Sequence, residues 1–281
     1  MNRGGKKNRP VRPGIKPKHS LGQNFLTDTA LLEELIEETG VGPEDHVLEI
    51  GPGAGDMTRL LSLRCRTLTA VEIDRDLIPI LRVVMDQADN FTLVEGDILR
   101  TDLNRIMEGR TPYRVVANIP YYLTTDLLNL LLRGDLPITG ICVMVQKEAA
   151  ERILASPGTS EYGPLAVRAW YFTDPRLARL VDRTCFTPAP KVDSAFLCMP
   201  WRDAPPVEVR DEKQFFRIVR AAFALRRKTL CNNLISTFRL PRAAAEEWIS
   251  RAGLPGDIRG EAMTIRQFAD LANAESGEIQ I

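Results

Sequence analysis

Glu49-Ile50-Gly51-Pro52-Gly53-Ala54-Gly55 is the stretch whose reading decides the fold of this chain. It follows a short apolar run at residues 46–50 and precedes residues 57–63, where Met57, Leu60 and Leu61 recur at helical spacing. The stretch therefore reads as a turn from strand to helix. Its glycines let the backbone approach a ligand closely, and the helix amino terminus offers unpaired amides. A dinucleotide fingerprint would require a third glycine at position 56, where Asp56 stands. G-x-G-x-G after an acid fits a pocket for S-adenosylmethionine better than one for NAD.

Working outward, residues 29–39 read as an amphipathic helix, with Leu31, Leu32, Leu35 and Ile36 on one face and Thr27 or Asp28 as its cap. Strands are expected at 67–73, 91–95, 114–117 and 141–145, with helices at 77–85 and 126–132 between them. Continuous apolar strands separated by helices imply a parallel sheet covered on both faces. A helix at 147–155 and strand-like runs at 165–172 and 194–200 follow. The polar, proline-rich stretch 201–206 reads as a boundary, and helices at 213–237, 242–252 and 265–274 as a small bundle. The expected organisation is a basic arm at 1–19, a Rossmann-like α/β domain at 20–203 and a helical domain at 204–281.

The formal net charge is zero, yet residues 1–19 carry seven cations (Arg3, Lys6, Lys7, Arg9, Arg12, Lys16, Lys18) and no acid. Such a segment is expected to be flexible and to contact phosphates without reading sequence. Arg217, Arg220, Arg226, Arg227 and Lys228 form a second basic cluster, expected on a helix. Five widely spaced cysteines without a C-x-x-C pair suggest neither disulfides nor zinc, and His19 and His46 have no partner at metal spacing, so no metal is expected. No apolar stretch is long enough to span a bilayer, and a cytosolic protein is expected.

The strand ends carry the chemistry. Glu72 lies 21 residues after Gly51 at a strand end, where open α/β sheets place the acid that holds ribose hydroxyls. Asp97 follows the next strand and can accept a hydrogen bond from an adenine amino group. Asn118-Ile119-Pro120-Tyr121 ends the fourth strand. An exocyclic aromatic amine is a poor nucleophile because its lone pair is delocalised into the ring. If the Asn118 side-chain oxygen and the Pro120 carbonyl accept its two protons, the nitrogen can begin to rehybridise towards an electrophilic methyl group. Tyr121 can stack on the base.

With these motifs together, the chain resembles the ribosomal RNA adenine dimethyltransferases that modify the small subunit, over nearly all residues from Lys18 onward. Gln23-Asn24-Phe25-Leu26 is similar to the family's leading segment, which implies that Asn24 and Leu26 contact the methionine end of S-adenosylmethionine. The resemblance also implies that Gly51, Gly53, Glu72, Asp97 and Asn118 complete the cofactor contacts. Phe186-Thr187-Pro188-Ala189-Pro190-Lys191-Val192-Asp193-Ser194 is similar to a post-catalytic loop in which Phe186 faces the flipped adenine opposite Tyr121. Phe223-Ala224-Leu225-Arg226-Arg227-Lys228-Thr229-Leu230 resembles the signature helix of the bacterial small-subunit branch, with Arg226, Arg227 and Lys228 gripping RNA. Ile119 departs from the more usual leucine.

The family implies dimethylation of the N6 amino groups of two adjacent adenines in a hairpin near the 3' end of 16S rRNA, in an immature 30S subunit. Nothing in the sequence demands a dimer. Three other readings stay open: the related large-subunit methyltransferases, a ribosome-assembly factor with secondary catalysis, and an NAD-dependent oxidoreductase, which Asp56 disfavours.

Overall fold

Aliphatic runs too continuous for one-sided burial become the central strands of a seven-stranded sheet. The computed structural model describes residues 15–18 and 21–274. Its elements begin with β1 (Phe25–Leu26), α1 (Thr29–Glu38), β2 (His46–Ile50), α2 (Asp56–Ser62), β3 (Thr67–Glu72), α3 (Ile78–Val84) and β4 (Phe91–Glu95). Next come α4 (Leu103–Ile106), β5 (Tyr113–Asn118), α5 (Thr124–Leu131), β6 (Ile138–Gln146), α6 (Lys147–Leu154) and α7 (Pro164–Phe172). The chain ends with β7 (Arg176–Val181), β8 (Phe186–Thr187), β9 (Ser194–Pro200), α8 (Glu212–Ala222), α9 (Leu230–Phe238), α10 (Arg242–Arg251) and α11 (Ile265–Asn273). Most of the basic arm expected at 1–19, and His19, lie outside the described residues.

The sheet order is β4-β3-β2-β5-β6-β9-β7. Strands β2 to β6 pair in parallel, β9 is antiparallel to β6, and β7 is antiparallel to β9. The order reverses between β2 and β5, and ligands of open α/β sheets lie at such a switch point beyond the carboxyl ends of the strands. Register fixes what meets there. Ile50 pairs with Val71 on one side and Ala117 on the other, so the next residues along, Gly51, Glu72 and Asn118, fall side by side. A separate two-stranded ribbon pairs β1 with β8, joining Leu26 to Phe186.

Two compact units are formed. Among the described residues, the first runs up to Ala150 and resumes over Asp174–Trp201, and the second comprises Glu151–Thr173 and the described residues from Arg202 onward. In the first, Leu31, Leu32, Leu35 and Ile36 of α1 pack with Val47, Leu61, Val116 and Phe196 in one apolar cluster. Asp28, rather than Thr27, caps α1, its carboxylate accepting from the Leu31 amide at 3.1 Å.

Three expectations are corrected in the later part of the chain. Residues 165–172, expected as a strand, form helix α7. Ala166, Val167, Ala169, Tyr171 and Phe172 are all buried, so neither a period of two nor of 3.6 stands out, and Pro164 starts the helix where a missing amide costs nothing. Tyr171 and Phe172 pack on Phe215 and Phe216 of α8, with centroids 5.1–5.5 Å apart for Tyr171–Phe215, Tyr171–Phe216 and Phe172–Phe216. That aromatic cluster places residues 151–173 with the carboxy-terminal helices, an excursion that a boundary at 203 leaves out. Second, the edge strand β7 has no expected counterpart, because Arg176, Leu177, Arg179 and Leu180 are all exposed and its register shifts between Leu177 and Arg179. Third, the single helix expected at 213–237 breaks into α8 and α9, so Arg226, Arg227 and Lys228 sit on an exposed turn rather than a helix.

The break has a cause. Thr229 caps α9, and fully buried Asn233 reaches back from α9, donating to the carbonyls of Ala222 (2.9 Å) and Leu225 (3.4 Å) and accepting from the Leu225 amide (2.9 Å). One side chain thus satisfies the backbone groups that the end of α8 exposes. Elsewhere in this unit, buried Trp248 donates to the Leu271 carbonyl at 2.8 Å.

Candidate functional site

A cavity of about 210 Å³ opens at the switch point, and its wall includes the carboxyl ends of β2, β3 and β5 and the turn after β4. Asn24, Leu26, Gly51, Gly53, Glu72, Asp97, Asn118, Pro120, Tyr121 and Phe186 all line it. These are the residues that the sequence pointed to for cofactor and catalysis. They arrive from six separate stretches of chain because the sheet order, not sequence proximity, decides which ends meet.

The glycine turn is shaped for close approach. Gly51 and Gly53 have φ of 70° and 59°, a region favourable for glycine alone. A Cβ on Gly53 would stand 3.0 Å from the Phe25 ring, so the leading segment can lie directly on the turn. Glu72, 4% exposed, is fixed at both oxygens: Oε2 accepts from the Gly53 amide at 3.1 Å and Oε1 from the Asp74 amide at 2.8 Å. Burial raises its pKa and these amides oppose the rise. Each oxygen keeps a lone pair for a diol.

Asp97 caps the short 3-10 turn Ile98–Arg100 through Oδ1, which accepts from the Leu99 amide at 3.0 Å. Asn118 donates its amide to the Asn24 carbonyl at 3.3 Å. One N–H of the amide is thereby held, and the side-chain oxygen is the acceptor it can offer a substrate. The Pro120 carbonyl accepts from the Leu123 amide at 2.9 Å and retains its second lone pair. Tyr121 is half-buried, and its hydroxyl lies 2.8 Å from that of Ser194. Phe186 is 3% exposed and belongs to the aliphatic cluster of the first unit, so it lines the cavity as a packed wall.

Two features of the site escaped the sequence. Asp74, in what reads as a polar Asp-Arg-Asp loop, is 3% exposed and ties the leading segment to the cavity. Its carboxylate accepts from the Lys18 ammonium and from Gln23 Nε2, the latter at 2.7 Å, while its own amide serves Glu72. Burial alone would raise its pKa, yet the bonds from Lys18 and Gln23 hold the carboxyl below its ordinary value. Its place two residues after the ribose-type acid was the available signal. Glu49, noted only as the acid before the glycines, is 2% exposed, and neither its Oε2 nor the buried Thr58 hydroxyl has a hydrogen-bond partner in the described structure. Burial pushes the Glu49 carboxyl up to about 8, with the charge of Glu72 adding to the rise. It is a predominantly neutral acid in the cavity wall below that pH.

The cavity, the glycine turn that would be filled by any Cβ-bearing residue, and three hydrogen-bonding strand ends fit a nucleoside carrying a ribose and an adenine. Arg226, Arg227 and Lys228 belong to the other unit, where all three are exposed and Arg226 donates to the Ser160 carbonyl.

Comparison with known proteins agrees in kind. The chain matches the family described as ribosomal RNA adenine dimethylase over residues 14–275. It is 43% identical over 270 residues to Ribosomal RNA small subunit methyltransferase A of Geobacillus sp. (strain WCH70), covering 93% of this chain and 92% of that protein. It is 44% identical over 262 residues to the protein of the same name from Lactococcus lactis, covering 92% and 89%. Among solved structures, the 23S rRNA methyltransferase ErmE superposes with a TM-score of 0.68 at 28% identity, covering 89% of this chain and 99% of that one. A dimethyladenosine transferase from Plasmodium falciparum shares the fold, with a TM-score of 0.71 at 23% identity over 88% and 95%.

Proposed function

The chain belongs to the ribosomal RNA adenine dimethylase family, and from that membership we propose that it dimethylates the N6 amino groups of two adjacent adenines in a hairpin near the 3' end of small-subunit rRNA. It is an S-adenosylmethionine-dependent methyltransferase with ribosomal RNA as its substrate. The observation that carries the mechanism is that Asn118 lines the same cavity as Glu72 and Asp97 with one amide N–H bonded to the Asn24 carbonyl.

When bound, S-adenosylmethionine supplies an electrophilic methyl group on a sulfonium. Glu72 is suited to the ribose hydroxyls and the outer Asp97 oxygen to the adenine amine of the cofactor. Gly51 and Gly53 let the backbone close on it, and Asn24 and Leu26 border the methionine end. The target adenine must leave its stack to reach this crevice. Tyr121 offers a ring face to it, Phe186 an apolar wall, and the Asn118 oxygen and Pro120 carbonyl accept the two protons of its amine. Their work is to position the amine and redirect its lone pair. A base that has received one methyl keeps one N–H for this pair.

Arg226, Arg227 and Lys228, with the arm at 1–19, contribute charge towards the RNA backbone, which A-form RNA requires more than base reading. Among the described residues no helix is long and apolar enough to cross a membrane. The reading extends to a monomer acting in the cytoplasm on immature 30S subunits. The small-subunit relatives, at 43–44% identity, support that substrate over the large-subunit one.

The test is incubation with radiolabelled S-adenosylmethionine and each unmethylated ribosomal subunit, followed by nucleoside analysis. Label in N6,N6-dimethyladenosine from the small subunit is expected. Label confined to the large subunit would overturn the substrate, and none in either would overturn the activity.

A further inference from the structure

Tyr121 and Ser194 stand 73 residues apart in sequence, yet their hydroxyls meet at 2.8 Å. Ser194 is fully buried and opens β9, where it pairs with Gln146 at the end of β6. The chain just before it is held on three sides. Lys147 donates its amide to the Asp193 carbonyl at 3.0 Å, Arg183 its amide to the Asp193 carboxylate at 3.0 Å, and the Arg183 guanidinium bonds the Lys191 carbonyl at 3.3 Å. Ser194 is therefore a fixed point of the sheet. Tyr121, by contrast, starts the 3-10 turn Tyr121–Leu123 immediately after Pro120, and the ring torsions of a side chain on a turn are set by what it touches. With its hydroxyl tied to β9, the ring cannot swing about the Cα–Cβ bond without breaking a hydrogen bond in a half-buried site.

We propose that Ser194 is a positioning residue for methyl transfer: its hydroxyl holds the Tyr121 ring in the orientation against which the target adenine stacks. The inference rests on the proposed function, since it assigns Ser194 a part in seating the same base. It also gives the loop from Phe186 to Ser194 a second task, because one end supplies the apolar wall of the cavity and the other locks the aromatic face across it. A misplaced stacking surface disturbs the geometry of the reacting amine more than it disturbs the cofactor, whose contacts other than Asn118 lie on other strand ends. The expected loss therefore falls on kcat for RNA methylation and leaves cofactor binding alone.

The experiment measures methyl transfer to unmethylated small subunits by wild type, Ser194→Ala, Tyr121→Phe and the double variant, with cofactor affinity measured by calorimetry on each. Each single variant is expected to lower kcat about tenfold, with S-adenosylmethionine affinity within about twofold of wild type. The double variant should be no slower than the slower single, because both substitutions remove one bond. Losses that multiply in the double variant, or wild-type kcat in either single, would overturn the assignment. Should Ser194→Ala fail to fold by circular dichroism, Tyr121→Phe removes the same bond from the other end and decides the matter by its kcat. A wild-type protein inactive on small subunits would overturn the proposed function and this inference with it, whereas active wild type with unaffected variants overturns the inference alone.

Discussion

The crevice of the first unit and the basic turn of the second present polar groups in opposite ways. At the crevice the side chains themselves are anchored: Glu72 by the amides of Gly53 and Asp74, Asp97 by Leu99, Asn118 by the Asn24 carbonyl and Tyr121 by Ser194. At the turn, Arg226, Arg227 and Lys228 are exposed, with Arg226 bonded to the Ser160 carbonyl, and the backbone nearby is held through buried Asn233. Redirecting a lone pair requires placement of single atoms, whereas attracting a polyanion requires charge in a region. The two regions should therefore fail differently when altered.

The largest effect is expected at Asn118. Asn118→Ala should lower kcat about a hundredfold or more while small-subunit affinity in a filter-binding assay stays at wild type; a parallel loss of affinity would erase the contrast. Next is Asn233→Ala, which strands backbone groups it now satisfies. Loss of about 2–3 kcal/mol of stability is expected in denaturant unfolding, along with weaker RNA binding, while cofactor affinity is unchanged. Unaltered stability would mean that the turn is not held by this side chain.

Replacing Arg226, Arg227 and Lys228 together by alanine is expected to weaken small-subunit binding about tenfold and to reduce the slope of log affinity against log salt by about 2. The turnover of saturated enzyme should remain, and a collapse in kcat would place the turn among the catalytic parts. The effect expected at Glu49 is read in the pH dependence of stability rather than in turnover or binding. Its folded pKa, pushed up to about 8, exceeds the ordinary carboxyl value of 4.5. Between those two pH values the unfolded chain has lost a proton that the folded one keeps, so this group's contribution falls as pH rises from 4.5 towards 8 and levels off above it. Glu49→Gln, which cannot ionise, should lose less stability than wild type when unfolding is compared at pH 5 and pH 8. Equal losses would remove the neutral acid from the wall of the crevice.

The same contrast explains what was legible in the sequence. In the first unit Gly51, Glu72, Asp97 and Asn118 lie at or just beyond strand ends, and apolar runs announce strands. Gly51, Glu72, Asp97 and Asn118 could be placed at one crevice before their coordinates were known, because parallel pairing brings such ends together. The second unit offers no such rule. The residues of α7 are buried around the helix and carry no period, and the break between α8 and α9 depends on an asparagine seven residues after Arg226 whose role is visible only once it is buried. Asp74 and Ser194 were hidden for a related reason, since each acts through a partner distant in sequence: Lys18 lies 56 residues from Asp74, and Tyr121 lies 73 from Ser194.

The bond between Asn118 and the Asn24 carbonyl has a consequence for which nucleobases the mouth of the crevice tolerates. Its two facing groups, an amide oxygen and a prolyl carbonyl, are both lone-pair bearers. A purine carrying a keto oxygen at carbon 6, as inosine and guanosine do, would bring a third acceptor oxygen into that space and meet repulsion where adenosine offers two N–H donors. With the leading segment holding the Asn118 amide, inosine substituted at the target positions is expected to be refused at transfer.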